Sequence, residues 1–263
     1  MAEVVILENE HSAGDLAASY ILAAIAEHPD VVLGLATGSS PASTYAALTR
    51  RVRAEGTDVS GVRGFALDEY VGLPAEHPES YREVIRREVI QPIGLDPARI
   101  HVPNGDIATI AEASGAFEQA IAEAGGVEIQ LLGIGASGHI GFNEPGSSLA
   151  SVTRVKTLTE KTRNDNARFF DRLDDVPTHC ITQGIGTILR ARRLILLAFG
   201  EGKAHALAAA VEGPVSASIP ASAIQLHPHV TVIVDEAAAS HLQHHAYYRH
   251  AWQNQPDWAV RLG

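Results

Sequence analysis

The chain of 263 residues has a single cysteine, Cys180, and no apolar run near the ~18 residues that a membrane-spanning helix needs. One cysteine excludes an internal disulfide. The N-terminus also lacks the basic and then apolar pattern of a secretory signal. These absences predict a cytoplasmic protein with no membrane partner.

Basic residues are scarce as well. The chain has 20 Lys and Arg residues against 31 Asp and Glu residues, a net charge of -11 at pH 7, which argues against a nucleic-acid or anionic-membrane partner. Only three lysines occur, Lys156, Lys161 and Lys203. We find no internal repeat, low-complexity tract or linker, so residues 1–263 are predicted to form a single domain.

Short apolar runs alternate with helical patterns along the chain. Strands are predicted at 4–7, 31–36, 65–67, 100–102, 127–134, 194–199 and 230–234, with 152–158 extended. Helices are predicted at 11–26, from 41 through 48, and at 80–90, 107–124, 180–189, 203–211 and 236–252, whereas 159–177 is weakly patterned. This alternation predicts an α/β fold, a doubly wound and mostly parallel sheet with helices on both faces.

The stretch 129–148 carries the strongest functional signal. A buried parallel strand is followed by Gly133, Gly135 and Gly138, which allow the backbone to turn and to approach a ligand. His139 and Glu144 follow in a short polar loop. An imidazole and a carboxylate at the end of a strand predict an acid–base site, with a tight structural loop as the alternative.

The same three glycines fit the dinucleotide fingerprint G-x-G-x-x-G. That motif requires a helix that begins inside it and binds the pyrophosphate. Here the loop continues into the helix-breaking sequence Asn143-Glu144-Pro145-Gly146. The dinucleotide interpretation is therefore disfavoured.

A second candidate site follows the strand at 31–36. Thr37, Gly38, Ser39 and Ser40 precede Pro41, so Ser40 can be the N-cap of the next helix. Free N–H groups and hydroxyl groups at a helix N-terminus can bind a phosphate, although an ordinary N-cap is the alternative. A Walker loop is excluded because no Gly-Lys-[Ser/Thr] follows.

Charged residues near other strand ends extend this hypothesis. Asp68 follows the strand at 65–67 and is either a ligand-facing acid or a turn residue. Lys203 lies at a predicted helix start, where a cation is unfavourable unless an anion binds there. Arg168 is a further possible phosphate donor, with a surface arginine as the alternative.

No pattern favours a metal site. His241, His244 and His245 would share one face of a helix, but no acidic residue or cysteine lies among them, so an exposed helix is preferred. His227 and His229 flank Pro228 and are interpreted as structural. Cys180 is interpreted as a buried small residue rather than a nucleophile beside His179.

Over nearly its whole length the chain resembles the glucosamine-6-phosphate deaminase family. The matching motifs are LGLATGSSP at 33–41, LDEYVG at 67–72, HPESY at 77–81, GHIGFNEPGSS at 138–148, KTLT at 156–159, ARFF at 167–170, GKA at 202–204 and QLHP at 225–228. The resemblance implies a modified Rossmann-like fold similar to those of ribose-5-phosphate isomerase and 6-phosphogluconolactonase. It also implies conversion of glucosamine 6-phosphate and water to fructose 6-phosphate and ammonia, without a cofactor or a metal.

The resemblance implies a role for each matching residue. Asp68 matches the general base of enolisation, His139 the acid–base group of ring opening, and Glu144 its carboxylate partner. The residues that match the phosphate binders are Thr37, Gly38, Ser39, Ser40, Arg168 and Lys203.

Two departures bear on regulation and on the tuning of His139. The family often has Asp where this chain has Ser137. Some members are hexamers with an effector site for N-acetylglucosamine 6-phosphate, and a homo-oligomer is expected here. The residues that match parts of that effector site are Ser147, Ser148, Arg154, Lys156 and Thr157. A tyrosine expected near the C-terminus aligns with Arg249, beside Tyr248.

Other functions stay as alternatives. A 6-phosphogluconolactonase shares the fold and has its own Gly-His loop, but the motifs at 68–70 and 143–145 favour the deaminase. The effector domain of a transcription regulator would need a DNA-binding segment, for which the early first strand and the net charge of -11 leave no place.

Overall fold

The computed structural model describes residues 3–255 of the chain. Its strands are β1 (Glu3–Leu7), β2 (Val32–Leu35), β3 (Arg63–Ala66), β4 (Asp68–Tyr70), β5 (Ile100–His101), β6 (Ile129–Gly133), β7 (Arg154–Thr157), β8 (His179–Thr182), β9 (Arg193–Ala198) and β10 (Val230–Asp235). Its helices are α1 (Glu10–Glu27), α2 (Ser39–Glu55), α3 (Tyr81–Ile85), α4 (Gln91–Ile93), α5 (Ile110–Glu123), α6 (Glu160–Asn166), α7 (Ile185–Ile188), α8 (Ala204–Val211), α9 (Glu236–Ala239) and α10 (His245–Gln253).

Seven strands form one parallel sheet, in the order β1-β10-β9-β6-β2-β3-β5. The inner strands are almost entirely apolar and buried, as expected where helices cover both faces of a sheet. The predicted α/β fold with a mostly parallel sheet is confirmed. All seven strands lie where the sequence placed them, within a few residues.

A second sheet of three antiparallel strands, in the order β4-β8-β7, was not predicted. The sequence pattern assigned residues 68–70 to the end of β3 and residues 180–189 to a helix, and the second assignment was wrong. The segment instead forms β8 and the short helix α7. The four residues of β8 are too few to establish either a helical or a strand period, so pairing with β4 and β7 decides the outcome.

Two other helices differ from the prediction. The helical segment predicted at 80–90 does not end before Pro92, because a π-helical turn at Arg86–Ile90 joins α3 to α4. The helix predicted at 236–252 is broken into α9 and α10. The carboxylate of Glu212 accepts the N–H groups of Gln243 and His244, at 2.7 and 3.0 Å, and so ends α9 early.

The weakly patterned segment 159–177 contains regular secondary structure that the sequence did not predict. This segment contains α6 and two 3-10 turns, Ala167–Phe169 and Leu173–Asp175. Phe170 packs on a small apolar cluster of Tyr70, Phe142, Leu158 and Cys180, separate from the main core. Within residues 3–255 no helix is both long and apolar enough to cross a membrane.

Candidate active site

A cavity of about 670 Å³ opens at the carboxyl ends of the parallel strands. Segments that follow β2, β3, β6 and β9 line it, which is the usual place for ligands in open α/β sheets. The predicted catalytic and phosphate-binding residues, except Glu144, line this one cavity. They are Thr37, Gly38, Ser39, Ser40, Asp68, His139, Arg168 and Lys203.

The N-terminus of α2 forms one end of the cavity. The N-cap is Gly38, with φ +91°, and not Ser40 as the sequence suggested. No side chain caps this helix and no acidic residue lies in its first turn. The first N–H groups and the hydroxyls of Ser39 and Ser40 are thus placed to bind an anion at the positive end of the helix dipole.

Two cations lie at the same end. Burial lowers the pKa of Lys203, Asp165 opposes this effect, and the nearby charges of Arg168 and Lys161 lower the pKa further. The Arg168 guanidinium carbon is 4.7 Å from the centre of the Phe169 ring, which holds it over the cavity. Two cations brought close enough to repel each other indicate a site for a multiply charged anion.

Strand β4 begins with two acids, Asp68 and Glu69. Of these two, only Asp68 lines the cavity. It is 5% exposed. Burial and the neighbouring charge of Glu69 raise the pKa of Asp68 to about 8, although the nearby Thr182 hydroxyl and Phe142 N–H act to lower it. A carboxyl group with a pKa near neutrality is suited to accept and return a proton.

Glu69 is adjacent to Asp68 in sequence but has a different task. Its carboxylate accepts the N–H groups of Tyr70, Tyr81 and Arg82, at 2.7, 2.9 and 2.9 Å, and so caps the N-terminus of α3. Successive side chains on a strand point to opposite faces, which separates the two acids. Only Asp68 of this pair is available for chemistry.

His139 lies in a hydrogen-bonded group with a serine and a carboxylate. Its Nδ1 is 2.9 Å from the Ser137 hydroxyl and 3.4 Å from Glu144 Oε2. The Ser137 hydroxyl is also 3.5 Å from Glu144 Oε2. With Nδ1 held on this side, Nε2 is the ring nitrogen available for proton transfer.

Glu144 lies behind His139 and does not line the cavity. Burial would raise the pKa of Glu144, but hydrogen bonds from His139, Thr162 and Thr159 outweigh that effect and lower it to about 2. Thr162 donates to Oε1, as does Thr159 at 3.2 Å. The carboxylate is therefore ionised at neutral pH and serves to orient and stabilise the imidazole.

The glycine loop brings the imidazole into place. A Cβ on Gly135 would lie 2.1 Å from His139 Nε2, so only glycine fits beneath the ring. Residues 134–153 contain turns and one isolated bridge but no helix. The fingerprint Gly133-x-Gly135-x-x-Gly138 therefore lacks the helix that binds a dinucleotide, as the sequence analysis concluded.

Sequence reasoning missed the residues that hold the site together. Nothing in the sequence pattern pointed to Thr162, because it lies in the weakly patterned segment 159–177. The structure shows that Thr162 is part of α6. An aromatic wall is formed by Tyr70, Tyr81, Phe142 and Phe170, with ring centres 5.0 to 5.9 Å apart. Asn166 of α6 donates to the Tyr70 hydroxyl at 2.9 Å and joins the wall to that helix.

The residues predicted for an effector site lie outside the cavity. Arg154 donates to Asn143 Oδ1 at 2.6 Å, and Ser147 is buried with no partner for its hydroxyl. Ser148 and Thr157 are exposed and Lys156 is partly buried. Near the C-terminus, Tyr248 is buried against Glu212, and Arg249 pairs with Glu236.

The remaining candidates are structural. Cys180 is buried on β8, where burial raises the pKa of its thiol. His227 Nε2 contacts the Ala191 carbonyl at 2.7 Å. His241 lies in the break between α9 and α10, so the predicted shared face with His244 and His245 was wrong. Across residues 3–255 no three His, Cys, Asp or Glu side chains form a group that could hold a metal ion.

Comparison with known proteins agrees with this geometry. Residues 8–233 match the family described as glucosamine-6-phosphate isomerases/6-phosphogluconolactonase. Glucosamine-6-phosphate deaminase of Bifidobacterium longum is 59% identical over 268 aligned positions, which cover 98% of this chain and 99% of that protein. The enzyme of the same name from Streptomyces coelicolor is 57% identical, with 97% and 98% covered.

Solved structures show the same relation. A monomeric glucosamine-6-phosphate deaminase superposes with a TM-score of 0.89 at 42% identity, over 92% of this chain and 100% of that one. A 6-phosphogluconolactonase from Trypanosoma brucei superposes with a TM-score of 0.73 at 18% identity, over 92% and 99%, and shares the fold. The chain therefore belongs to the family of glucosamine-6-phosphate isomerases and 6-phosphogluconolactonases.

Proposed function

We propose that the protein is a glucosamine-6-phosphate deaminase of amino-sugar catabolism, which converts glucosamine 6-phosphate and water to fructose 6-phosphate and ammonia. One observation carries the proposal: the uncapped N-terminus of α2 with two nearby cations, a carboxyl group and an imidazole face the same cavity. The relatives of that name, at 57% to 59% identity over almost the full chain, support it.

The phosphate binds at the N-terminus of α2, between the helix dipole and the cations of Lys203 and Arg168. Binding energy from this remote group holds the sugar carbons beside Asp68 and His139. A phosphate contact is the same in the ground state and in the transition state. It should therefore contribute to KM more than to kcat.

Ring opening is assigned to His139. Its Nε2 takes the proton of the anomeric hydroxyl and returns a proton to the ring oxygen, which gives the open aldehyde. Glu144, ionised and hydrogen-bonded behind the ring, stabilises the imidazolium formed on the way. The Ser137 hydroxyl holds Nδ1 at 2.9 Å and takes part in the same orientation.

Proton transfer between carbons is assigned to Asp68. The ionised carboxylate removes the proton from C2 of the open aldehyde and delivers it to C1 of the enolamine. The product is an iminium group at C2. Water adds to that carbon and ammonia leaves, so the ketone of fructose 6-phosphate remains. These steps are proton transfers and a hydrolysis, and we expect activity to survive treatment with a metal chelator.

The assignment is tested with two assays on one set of variants. Ammonia and fructose 6-phosphate are measured from glucosamine 6-phosphate. Solvent-deuterium exchange at C1 of fructose 6-phosphate is measured separately, since the acyclic fraction of that substrate bypasses ring opening. His139→Ala and Glu144→Gln should lower ammonia release more than exchange, whereas Asp68→Asn should abolish both.

Three results would contradict this. Absence of ammonia, or hydrolysis of 6-phosphogluconolactone in its place, would remove the proposed activity. Equal loss of exchange in His139→Ala and Asp68→Asn would replace the two roles with one joint acid–base site.

An effector site is a separate proposal. The resemblance assigns Ser147, Ser148, Arg154, Lys156 and Thr157 to a site for N-acetylglucosamine 6-phosphate. Arg154 also braces Asn143 beside Glu144, so a ligand there would contact the catalytic loop through one residue. Activation of the wild type by this compound, lost in Lys156→Ala, is the expected result, and an unchanged rate would refute it.

We also propose that the protein is cytoplasmic and that it forms a homo-oligomer. By reaction class it would be a hydrolase. The deaminase of solved structure described above is monomeric by its description. In this chain β7 is an edge strand of its sheet and carries exposed Val155, which supports a contact between subunits. Light scattering should give a multiple of 27.9 kDa, and a mass of 27.9 kDa would refute the oligomer.

A further inference from the structure

One buried threonine connects the two halves of the site. Thr182 lies on β8, directly opposite Asp68 on β4 and Arg154 on β7. Residues opposite each other on antiparallel strands project from the same face, with Cβ atoms about 5 Å apart. Thr182 is 0% exposed, so its hydroxyl must find partners within the protein.

Its surroundings belong to both catalytic segments. Thr182 Oγ1 accepts the Phe142 N–H of the His139 loop at 3.1 Å and is 3.4 Å from the Gln183 carbonyl. It also lies close enough to the Asp68 carboxylate to lower the pKa of that group. A Cβ on Gly141 would be 3.1 Å from Thr182 Oγ1 and 3.4 Å from Asp68 Oδ2. The hydroxyl and the carboxylate therefore converge over one residue of that loop.

The next residue extends the same connection. The Gln183 N–H donates to the Leu67 carbonyl at 2.7 Å, and the Gln183 carbonyl accepts from Asn143 Nδ2 at 2.8 Å. The end of β8 is thus bonded on one side to the segment before Asp68 and on the other to the segment before Glu144.

We propose that Thr182 is a positioning residue of the deaminase site, whose hydroxyl fixes the Asp68 carboxylate relative to the loop that carries His139. This inference rests on the proposed function. Ring opening and proton transfer act on adjacent carbons of one substrate, so the two groups must keep a fixed separation. Displacements of about 0.5–1 Å already lower rates substantially.

Other groups also act on Asp68, and the test must separate them from Thr182. The hydroxyl of Thr182 and the Phe142 N–H favour its ionised form, while burial opposes it. The titratable and charged groups around it are Glu69 on β4, Cys180 on β8, Arg154 on β7, Tyr81 on α3, Tyr70 on β4 and His139 on the loop. A threonine-to-valine change alters none of these residues.

The direct experiment titrates Asp68 in wild type and in Thr182→Val. The carboxyl stretch of Asp68 is followed by infrared difference spectroscopy and assigned by its absence in Asp68→Asn. Loss of the hydroxyl should raise the midpoint by about 1 pH unit, since a hydrogen bond to a charged group is worth about that much. An unchanged midpoint would overturn the proposal.

Kinetics supply the second readout. Thr182→Val should lower both ammonia release and C1 exchange by about 10-fold and move the acid limb of kcat/KM to higher pH. Thr182→Ser, which retains the hydroxyl, should restore most of both. The control is Thr187→Val, which removes another buried threonine hydroxyl bonded to a carboxylate, Glu118, outside the cavity. It should keep the wild-type profile.

The outcomes are distinct. A lower melting temperature in Thr182→Val with an unshifted titration would show a purely structural role. If the valine variant does not fold, Thr182→Ala gives the same comparison without the branched side chain. If the wild type releases no ammonia, the proposed function fails, while the infrared titration still decides whether Thr182 controls Asp68.

Discussion

At the scale of single residues, Asp68 combines a functional requirement with a cost in stability. Burial and Glu69 raise its pKa from 3.8 to about 8. Because the folded value lies above the unfolded one, folding stability falls as the pH rises between these values. In the proposed mechanism Asp68 acts as a base only when it is ionised, so kcat/KM should rise with pH on its acid side.

We therefore expect Asp68→Asn to lower activity by about 10³-fold or more and, above pH 8, to melt at a higher temperature than the wild type. The amide cannot accept the proton, and it carries no charge to bury. Ammonia release and melting curves at pH 5 and pH 8.5 measure both effects. Equal gains at the two pH values would show that charge burial is not the cause.

Lys203 gives a prediction about binding. Lys203→Ala should raise KM more than it lowers kcat, with KM at least about 10-fold higher, because a partly buried cation on a phosphate is lost. Inorganic phosphate should compete with the substrate in the wild type and compete poorly in the variant. Lys161→Ala is the control, since that lysine is exposed and pairs with Asp165. An unchanged KM would exclude Lys203 from the phosphate site.

Ser137 lies where the resemblance to the deaminase family leads us to expect an acid. Its hydroxyl contacts both His139 and Glu144, so it takes over orientation but not charge. Ser137→Ala should lower ammonia release about 5- to 10-fold, the worth of one hydrogen bond, and leave C1 exchange nearly unchanged. A similar loss in both assays would show that Ser137 supports the whole loop.

At this scale the sequence identified residues that line the cavity better than the residues that support them. Asp68, His139 and Lys203 stood out because each follows a strand end or a glycine. Thr162 and Thr182 could not be found, since their partners are 18 and 40 residues away and depend on tertiary pairing. The N-cap at Gly38 was missed because Ser40 before Pro41 is the commoner pattern.

At the scale of elements, the N-terminus of α2 is left without acid and without a side-chain cap. Ser39→Asp should stabilise the free protein through the helix dipole, by about 0.3–1 kcal/mol. The same carboxylate would repel the phosphate, so KM should rise. Thermal melting with and without inorganic phosphate measures both effects. Unchanged KM in a stabilised variant would mean that the phosphate binds elsewhere.

The helices and strands also show which elements a sequence pattern can locate. Long buried strands such as β9 were located because their apolar runs exceed what a turn or surface helix requires. The second sheet was missed because β4 has three residues and β8 four, too few to establish a period. The break between α9 and α10 comes from Glu212, a residue outside both helices.

At the scale of the whole molecule, we predict one folding domain. The second sheet has a small apolar cluster of its own, but Gln183 and Thr182 bond it to the end of β3 and to the loop after β6. Urea unfolding followed by far-ultraviolet circular dichroism and by loss of activity should give coincident transitions. Earlier loss of activity would show that the second sheet unfolds separately.

The alternation of side chains along β4 limits which insertions and deletions the protein can tolerate. Asp68 faces the cavity and Glu69 caps α3 only because they lie on opposite faces of one short strand. An insertion or deletion of one codon just before this strand would exchange the two faces, sending the base to the helix and the cap to the cavity. Evolution can therefore substitute residues around this strand more easily than it can insert or delete them, because a change in length would exchange the faces of the two carboxylates.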